Sequence, residues 1–115
     1  MTEMIEKLKE YGGDVTGIKD RFLNDMDLYK KCLVVFLEDP SFEKLSEALL
    51  ETDYAKAFEY AHTLKGVAGN MGLTPIYQVI CNMVEALRKN EYSGLQEDYQ
   101  ELMYQLEKVR ELAEA

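Results

Sequence analysis

Position 62 carries the one histidine of the chain, within Ala61-His62-Thr63-Leu64-Lys65-Gly66-Val67-Ala68-Gly69-Asn70-Met71-Gly72. An imidazole is the side chain most readily turned into a phosphoryl carrier near neutral pH. Its ordinary pKa of about 6.5 leaves a ring nitrogen nucleophilic without a separate base. Lys65 stands one helical turn later, where its ammonium can offset negative charge on a phosphorylated ring. Gly66 and Gly69 follow, each costing a helix roughly 1 kcal/mol relative to alanine. Glycines kept at that cost beside a histidine point to a second molecule that comes close to the backbone. Phe58, one turn before the histidine, and Glu59 complete the group. An aromatic there serves as a docking contact or packs on a neighbouring helix.

Which side of its helix the histidine occupies decides whether this group can act. At about 100° per residue, with His62 at zero, Ala57, Tyr60, Ala61, Leu64, Val67, Ala68 and Met71 fall on the opposite half. That apolar stripe must face a core, so His62 points to solvent, flanked by Phe58, Glu59, Lys65, Gly66 and Gly69. Close helix–helix packing is the competing reason for the two glycines, and the wheel places both on the wrong side for it.

The elements that carry this group are helical. Leu, Glu, Lys, Met and Ala dominate, with only two prolines. We expect a short helix near residues 2–11 and an irregular or partly helical stretch to about 25. Helices follow near 27–38, 40–51, 53–71, 75–89 and 94–113. Asp39-Pro40 and Thr74-Pro75 read as N-caps followed by a first-turn proline, and Ser93-Gly94-Leu95-Gln96 as a capping box. Gly12-Gly13, Gly72 and Asn90 fall where helices should stop. In the last segment Leu95, Tyr99, Leu102, Leu106, Val109 and Leu112 recur at threes and fours, a core stripe. Short connections between long amphipathic helices imply antiparallel neighbours. The expected fold is therefore all-α: an up-and-down antiparallel four-helix bundle, its helices roughly 27–51, 53–71, 75–89 and 94–113, with additional short N-terminal helices.

Composition narrows the function classes. At 115 residues the chain is expected to be one domain, 1–115, able to bury a core without disulfides or metals. The formal charge of −9 argues against nucleic acid and anionic membranes as partners. No apolar stretch reaches the roughly 18 to 20 residues of a membrane span. The start Met1-Thr2-Glu3-Met4-Ile5-Glu6-Lys7 lacks the pattern of a signal peptide, so a cytoplasmic location is expected. Cys32 and Cys81, each in an apolar run, are expected to be buried free thiols. The initiating methionine and the complete bundle pattern lead us to expect a free-standing protein.

Nucleotide machinery is missing from the pattern: there is no G-x-x-x-x-G-K-[ST] loop and no kinase signature. Gly66-x-x-Gly69-x-x-Gly72 lies within and at the end of a helix, so it is no phosphate loop. One histidine and two distant cysteines do not make a metal site. Pairs such as Glu38-Asp39 and Glu97-Asp98 read as solvated faces or caps. What remains is a nucleophilic nitrogen and one cation, suited to receiving and passing on a phosphoryl group whose positioning machinery sits elsewhere.

Ala61-His62-Thr63-Leu64-Lys65-Gly66, followed by Ala68, Asn70 and Gly72-Leu73, resembles the signature of histidine-containing phosphotransfer (HPt) domains. Leu33-Val34-Val35-Phe36-Leu37-Glu38-Asp39 and Asp53-Tyr54-Ala55-Lys56-Ala57 look like the preceding helices of that family. The resemblance implies that His62 is phosphorylated on Nε2 and passes the group to an aspartate of a receiver domain. It implies that Lys65 stabilises the phosphoryl group and that Gly66 leaves space for the receiver. Phe58, Glu59 and Gly69 join Gly66 as expected docking residues. No cofactor is expected on this chain; Mg²⁺ belongs to the partner receiver. Expected partners are response-regulator receiver domains and a histidine kinase, met by a monomeric, non-enzymatic phosphocarrier. Many members of the family carry, on the next helix, a polar side chain that bonds the other ring nitrogen. Here Val84 falls in that place, with Asn82 and Glu85 nearby, so ring orientation must come from water or a group such as Glu59. The rival readings are an adaptor that binds a receiver or kinase through the same face without transfer, and a metal- or small-molecule-binding bundle.

Overall fold

A computed structural model describes residues 2–114; Met1 and Ala115, which the single-domain expectation includes, lie outside the described residues. Seven α-helices occupy the described residues: α1 (Thr2–Tyr11), α2 (Val15–Arg21), α3 (Met26–Leu37), α4 (Ser41–Leu50), α5 (Tyr54–Asn70), α6 (Thr74–Arg88) and α7 (Leu95–Ala113). Helix α4 packs on α5, α5 on α6 and α6 on α7, while α3 and α1 close against α7. The result is an all-α bundle 43 Å long and about 20 Å across. Its first strut is broken into α3 and α4 around Glu38–Pro40, and α1 and α2 are the additional N-terminal pieces.

Periodicity accounts for the packing. Leu95, Leu102, Leu106, Val109 and Leu112 of α7 are buried as their spacing requires, with Tyr99 half-buried. Helix α6 contributes Ile76, Val79, Ile80, Met83, Val84 and Leu87, and α5 contributes Ala57, Ala61, Leu64 and Ala68. The small residues of α5 let its neighbours approach closely. Gly12, Gly72 and Asn90 adopt positive φ after α1, α5 and α6, the left-handed stop expected of them.

The helix starts differ from expectation. Asp39 does accept from the Ser41 amide at 2.8 Å, but Pro40 precedes the first helical residue. Thr74 is the first residue of α6 and caps nothing; Leu73 holds the cap position. The Tyr11 hydroxyl of α1 instead accepts from the Ile76 amide at 3.1 Å, so a distant side chain satisfies an orphan donor of α6. Ser93 does not form the expected capping box either, because Gly94 occupies the cap position of α7 with no side-chain bond. Cys32 and Cys81 are free but half-buried rather than buried.

The C-terminus of α5 is finished from the N-terminal segment. Tyr29 Oη donates to the Met71 carbonyl at 2.7 Å, and Arg21 Nε donates to the Asn70 carbonyl at 2.9 Å. The Asp14 amide donates to the Gly72 carbonyl at 2.9 Å. These groups take the carbonyls that a helix end leaves without partners, and a guanidinium there also complements the helix dipole. Gly72 is required twice over: φ is +66°, and a Cβ would lie 2.6 Å from the Ile18 side chain.

Candidate functional site

His62 sits near the middle of α5, exposed, with Ala61 and Leu64 beside it fully buried. Placement follows from the alternation of small apolar and polar residues around the helix, as the wheel requires. Among the described residues neither ring nitrogen has a hydrogen-bond partner, and the contact the imidazole makes is with the Phe58 ring. The two centroids are 5.8 Å apart and the planes tilted by 32°. Arg88 of α6 lies over the other part of this array, its guanidinium carbon 5.7 Å from the Phe58 centroid and ion-paired to Glu85. Phe58 is thus half-buried between the imidazole and a neighbouring helix, so both roles weighed for it are geometrically open.

Lys65, Gly66, Gly69 and Asn70 share with His62 a shallow depression of about 240 Å³, walled on the α6 side by Tyr77. Lys65 is half-buried and Gly66 exposed. A Cβ built on Gly66 meets nothing within 4 Å, so nothing within the protein requires a glycine there. Gly69 is different, and the wheel misjudged it. A Cβ there would stand 3.1 Å from the Tyr77 ring, so close helix–helix packing explains this glycine. The wheel gives angles about the axis of α5; it does not contain the long side chain that α6 lays along the groove. Tyr77 and Asn70 are the site-lining residues that sequence reasoning missed, and Tyr77 had a signal in the unexplained glycine opposite it.

Glu59 is exposed, and its backbone carbonyl accepts from Thr63 Oγ1 at 3.0 Å; its carboxylate makes no bond to the imidazole. Val84 is fully buried in the core, so it offers the imidazole no polar group from the place where many members of the family carry one. The neighbouring Cys81 thiol raises the Tyr77 phenol above its ordinary pKa. Among the described residues no group of three or more His, Cys, Asp or Glu side chains could hold a metal ion, and no helix is long and apolar enough to cross a membrane.

The fold and site define a helical bundle that displays one imidazole on the outer flank of a packed helix, with a lysine and an open glycine one turn away. The chain belongs to the Hpt domain family, whose model matches residues 33–115. Hpt domains serve phosphotransfer in two-component systems, where they interact with receiver domains and histidine kinases. Comparisons with curated proteins and with solved structures returned no match. Helices α1, α2 and the first part of α3 precede the matched segment, and Asp14, Arg21 and Tyr29, which finish the end of α5, lie there.

Proposed function

We propose that this protein relays a phosphoryl group through His62, taking it from a receiver-domain aspartate or a sensor kinase and passing it to another receiver-domain aspartate. The observation that carries this reading is the exposed imidazole of His62 with no protein partner on its nitrogens, beside open space over Gly66. In the first transfer Nε2 attacks phosphorus, the P–O bond to the donor aspartate breaks, and the carboxylate leaves. In the second, the acceptor carboxylate attacks phosphorus and the P–N bond breaks, releasing the imidazole as a neutral leaving group with its Nδ1 proton in place. Lys65 offsets charge on the transferring oxygens, and Gly66 leaves room for the partner backbone. Phe58 and Glu59 border the docking area. Mg²⁺ comes with the receiver, and the whole chain acts as one monomeric cytoplasmic carrier without a catalytic cycle of its own.

Incubation with a phosphorylated receiver domain or an active sensor kinase should give acid-labile label on His62. His62→Gln should take none. Label on the variant, or none on wild type with any two-component partner, overturns the relay. Binding that persists in His62→Ala, with no phosphohistidine on wild type, would leave the adaptor reading.

A further inference from the structure

Side chains on a helix lean in a fixed direction, and this decides what can hold the His62 ring. Long side chains take χ1 near 180° or −60° and lie back over the turn N-terminal to their own Cα. His62 therefore leans towards Phe58 and Glu59 rather than towards Lys65 or Gly66. The Glu59 carboxylate makes no bond to the imidazole, which leaves Phe58. The Phe58 and His62 ring centroids are 5.8 Å apart, with the planes 32° from parallel. That separation falls within the roughly 4.5–7 Å of attractive aromatic pairs. Phe58 is itself held from two sides. It packs against the buried core, and the Arg88 guanidinium carbon lies over its ring, 5.7 Å from the centroid. Arg88 is braced in turn by its ion pair with Glu85. On the C-terminal side of the imidazole, Gly66 has no side chain and the space over it is open, so nothing there competes for the ring.

We propose that Phe58, steadied by Arg88, positions the His62 imidazole for transfer, a role that rests on the relay reading. Val84 is buried, so at its place α6 has no polar group to bond a ring nitrogen. A stacked phenyl ring orients the imidazole by another means. A hydrogen bond fixes the ring by occupying a nitrogen, whereas a stack fixes its plane through the π faces and leaves both nitrogens open. Phe58 and Arg88 touch no reacting atom, so both are positioning residues. The size of the effect follows from counting conformers. A helical histidine has about two allowed χ1 wells and a broad, roughly two-fold χ2, which together give about four placements of the ring. Stacking favours one of them. Without it about a quarter of the molecules are competent at any moment, and transfer within the docked complex slows about fourfold.

Three variants of the whole chain test this. Phe58→Leu keeps an apolar side chain but removes the flat face, and Phe58→Tyr keeps the face. Arg88→Met keeps an apolar stem without the cation; Arg88 is exposed, so this variant tests the array even where Phe58→Leu loses helicity. The probe is a receiver domain phosphorylated with acetyl phosphate. Phosphohistidine formation is followed by rapid quench, and the imidazole protons of the free protein by NMR. Phe58→Leu should lower the transfer rate at saturating receiver about fourfold while KM changes less than about twofold, and Phe58→Tyr should restore the rate. Arg88→Met should lower it about twofold and add nothing in the Phe58→Leu background, because its effect passes through the phenyl ring. The His62 Hδ2 and Hε1 resonances should carry a ring-current shift in wild type and Phe58→Tyr that Phe58→Leu abolishes. An unchanged saturating rate in Phe58→Leu, a loss confined to KM, or wild-type imidazole protons at their free-histidine positions overturns the proposal. An Arg88→Met effect undiminished in the Phe58→Leu background overturns the part given to Arg88. Failure of the relay reading is separate: wild type then forms no phosphohistidine, while the imidazole resonances still report whether Phe58 holds the ring.

Discussion

Replacing Gly66 with alanine should make the protein more stable and a poorer carrier. A glycine in a helix interior costs about 0.5–1 kcal/mol relative to alanine, because the unfolded chain has more backbone freedom to lose. At Gly66 nothing opposes that gain, since the added Cβ meets no atom within 4 Å. For a chain of this size the expected rise in Tm is about 2–4 °C. Gly69→Ala provides the contrast. Its Cβ would stand 3.1 Å from Tyr77, so the same propensity gain is offset by displacement of that ring, and Tm should stay level or fall. Transfer should respond in the opposite order: Gly66→Gln, whose bulk projects into the docking area, should lower kcat/KM more than tenfold with helicity intact. Thermal melts by circular dichroism and phosphotransfer from a labelled receiver measure both. If Gly66→Ala melts below wild type, or Gly66→Gln transfers at the wild-type rate, the glycine is not there for a partner.

Three further perturbations address the site and its support. Lys65→Ala should slow transfer about tenfold, equivalent to about 1.4 kcal/mol of lost charge stabilisation, without changing the urea midpoint; an unchanged rate would remove the lysine from the mechanism. Tyr29→Phe keeps the buried ring and its edge-on contact with Phe22 but leaves the Met71 carbonyl without its donor. A loss of about 1–3 kcal/mol at constant m-value is expected, and an unshifted urea midpoint would contradict it. Burial holds the Tyr29 and Tyr11 phenols well above the ordinary tyrosine range, against a lowering by Arg21 near Tyr29 and by the Ile76 amide at Tyr11. Because the folded values are raised, this stability is complete below about pH 10, the unfolded value, and declines as pH rises above it. Each tyrosine contributes up to about 1.4 kcal/mol per pH unit. Tyr29→Phe should therefore show a shallower alkaline decline than wild type, measured by urea titration between pH 9 and 11.

The helices were legible because each carries an apolar stripe that only one period can satisfy. The same rule turned His62 outward: five of the seven residues assigned to the opposite face, Ala57, Ala61, Leu64, Ala68 and Met71, are buried. Long-range contributions were not legible. Thr74 and Ser93 have the chemistry of caps, yet the cap of α6 comes from Tyr11, far earlier in the chain. Gly69 looked exposed because the ring that covers it belongs to the next helix. Tyr29, followed by Lys30 and Lys31, carries no local signal of its role at the end of α5, which depends on a turn 42 residues away.

Those distant contacts bear on how one helix can be held firmly and still present a free side chain. A relay needs in-line geometry, so the backbone under the histidine must not drift. Yet the ring must be accessible to successive partners, which forbids tying it down with the protein's own groups. Helix α5 meets both demands by fixing its ends. Asp53 accepts from the Lys56 amide at its start, and Arg21, Tyr29 and Asp14 take the carbonyls at its finish. Between them the inner face is closed by α4 and α6, and the outer face carries only Phe58 against the imidazole. Arg21, Tyr29 and Asp14 all precede residue 33, where the family match begins. Constraint on the C-terminal end of the histidine's helix thus comes from a segment outside that match, which leaves the matched residues around His62 free for docking.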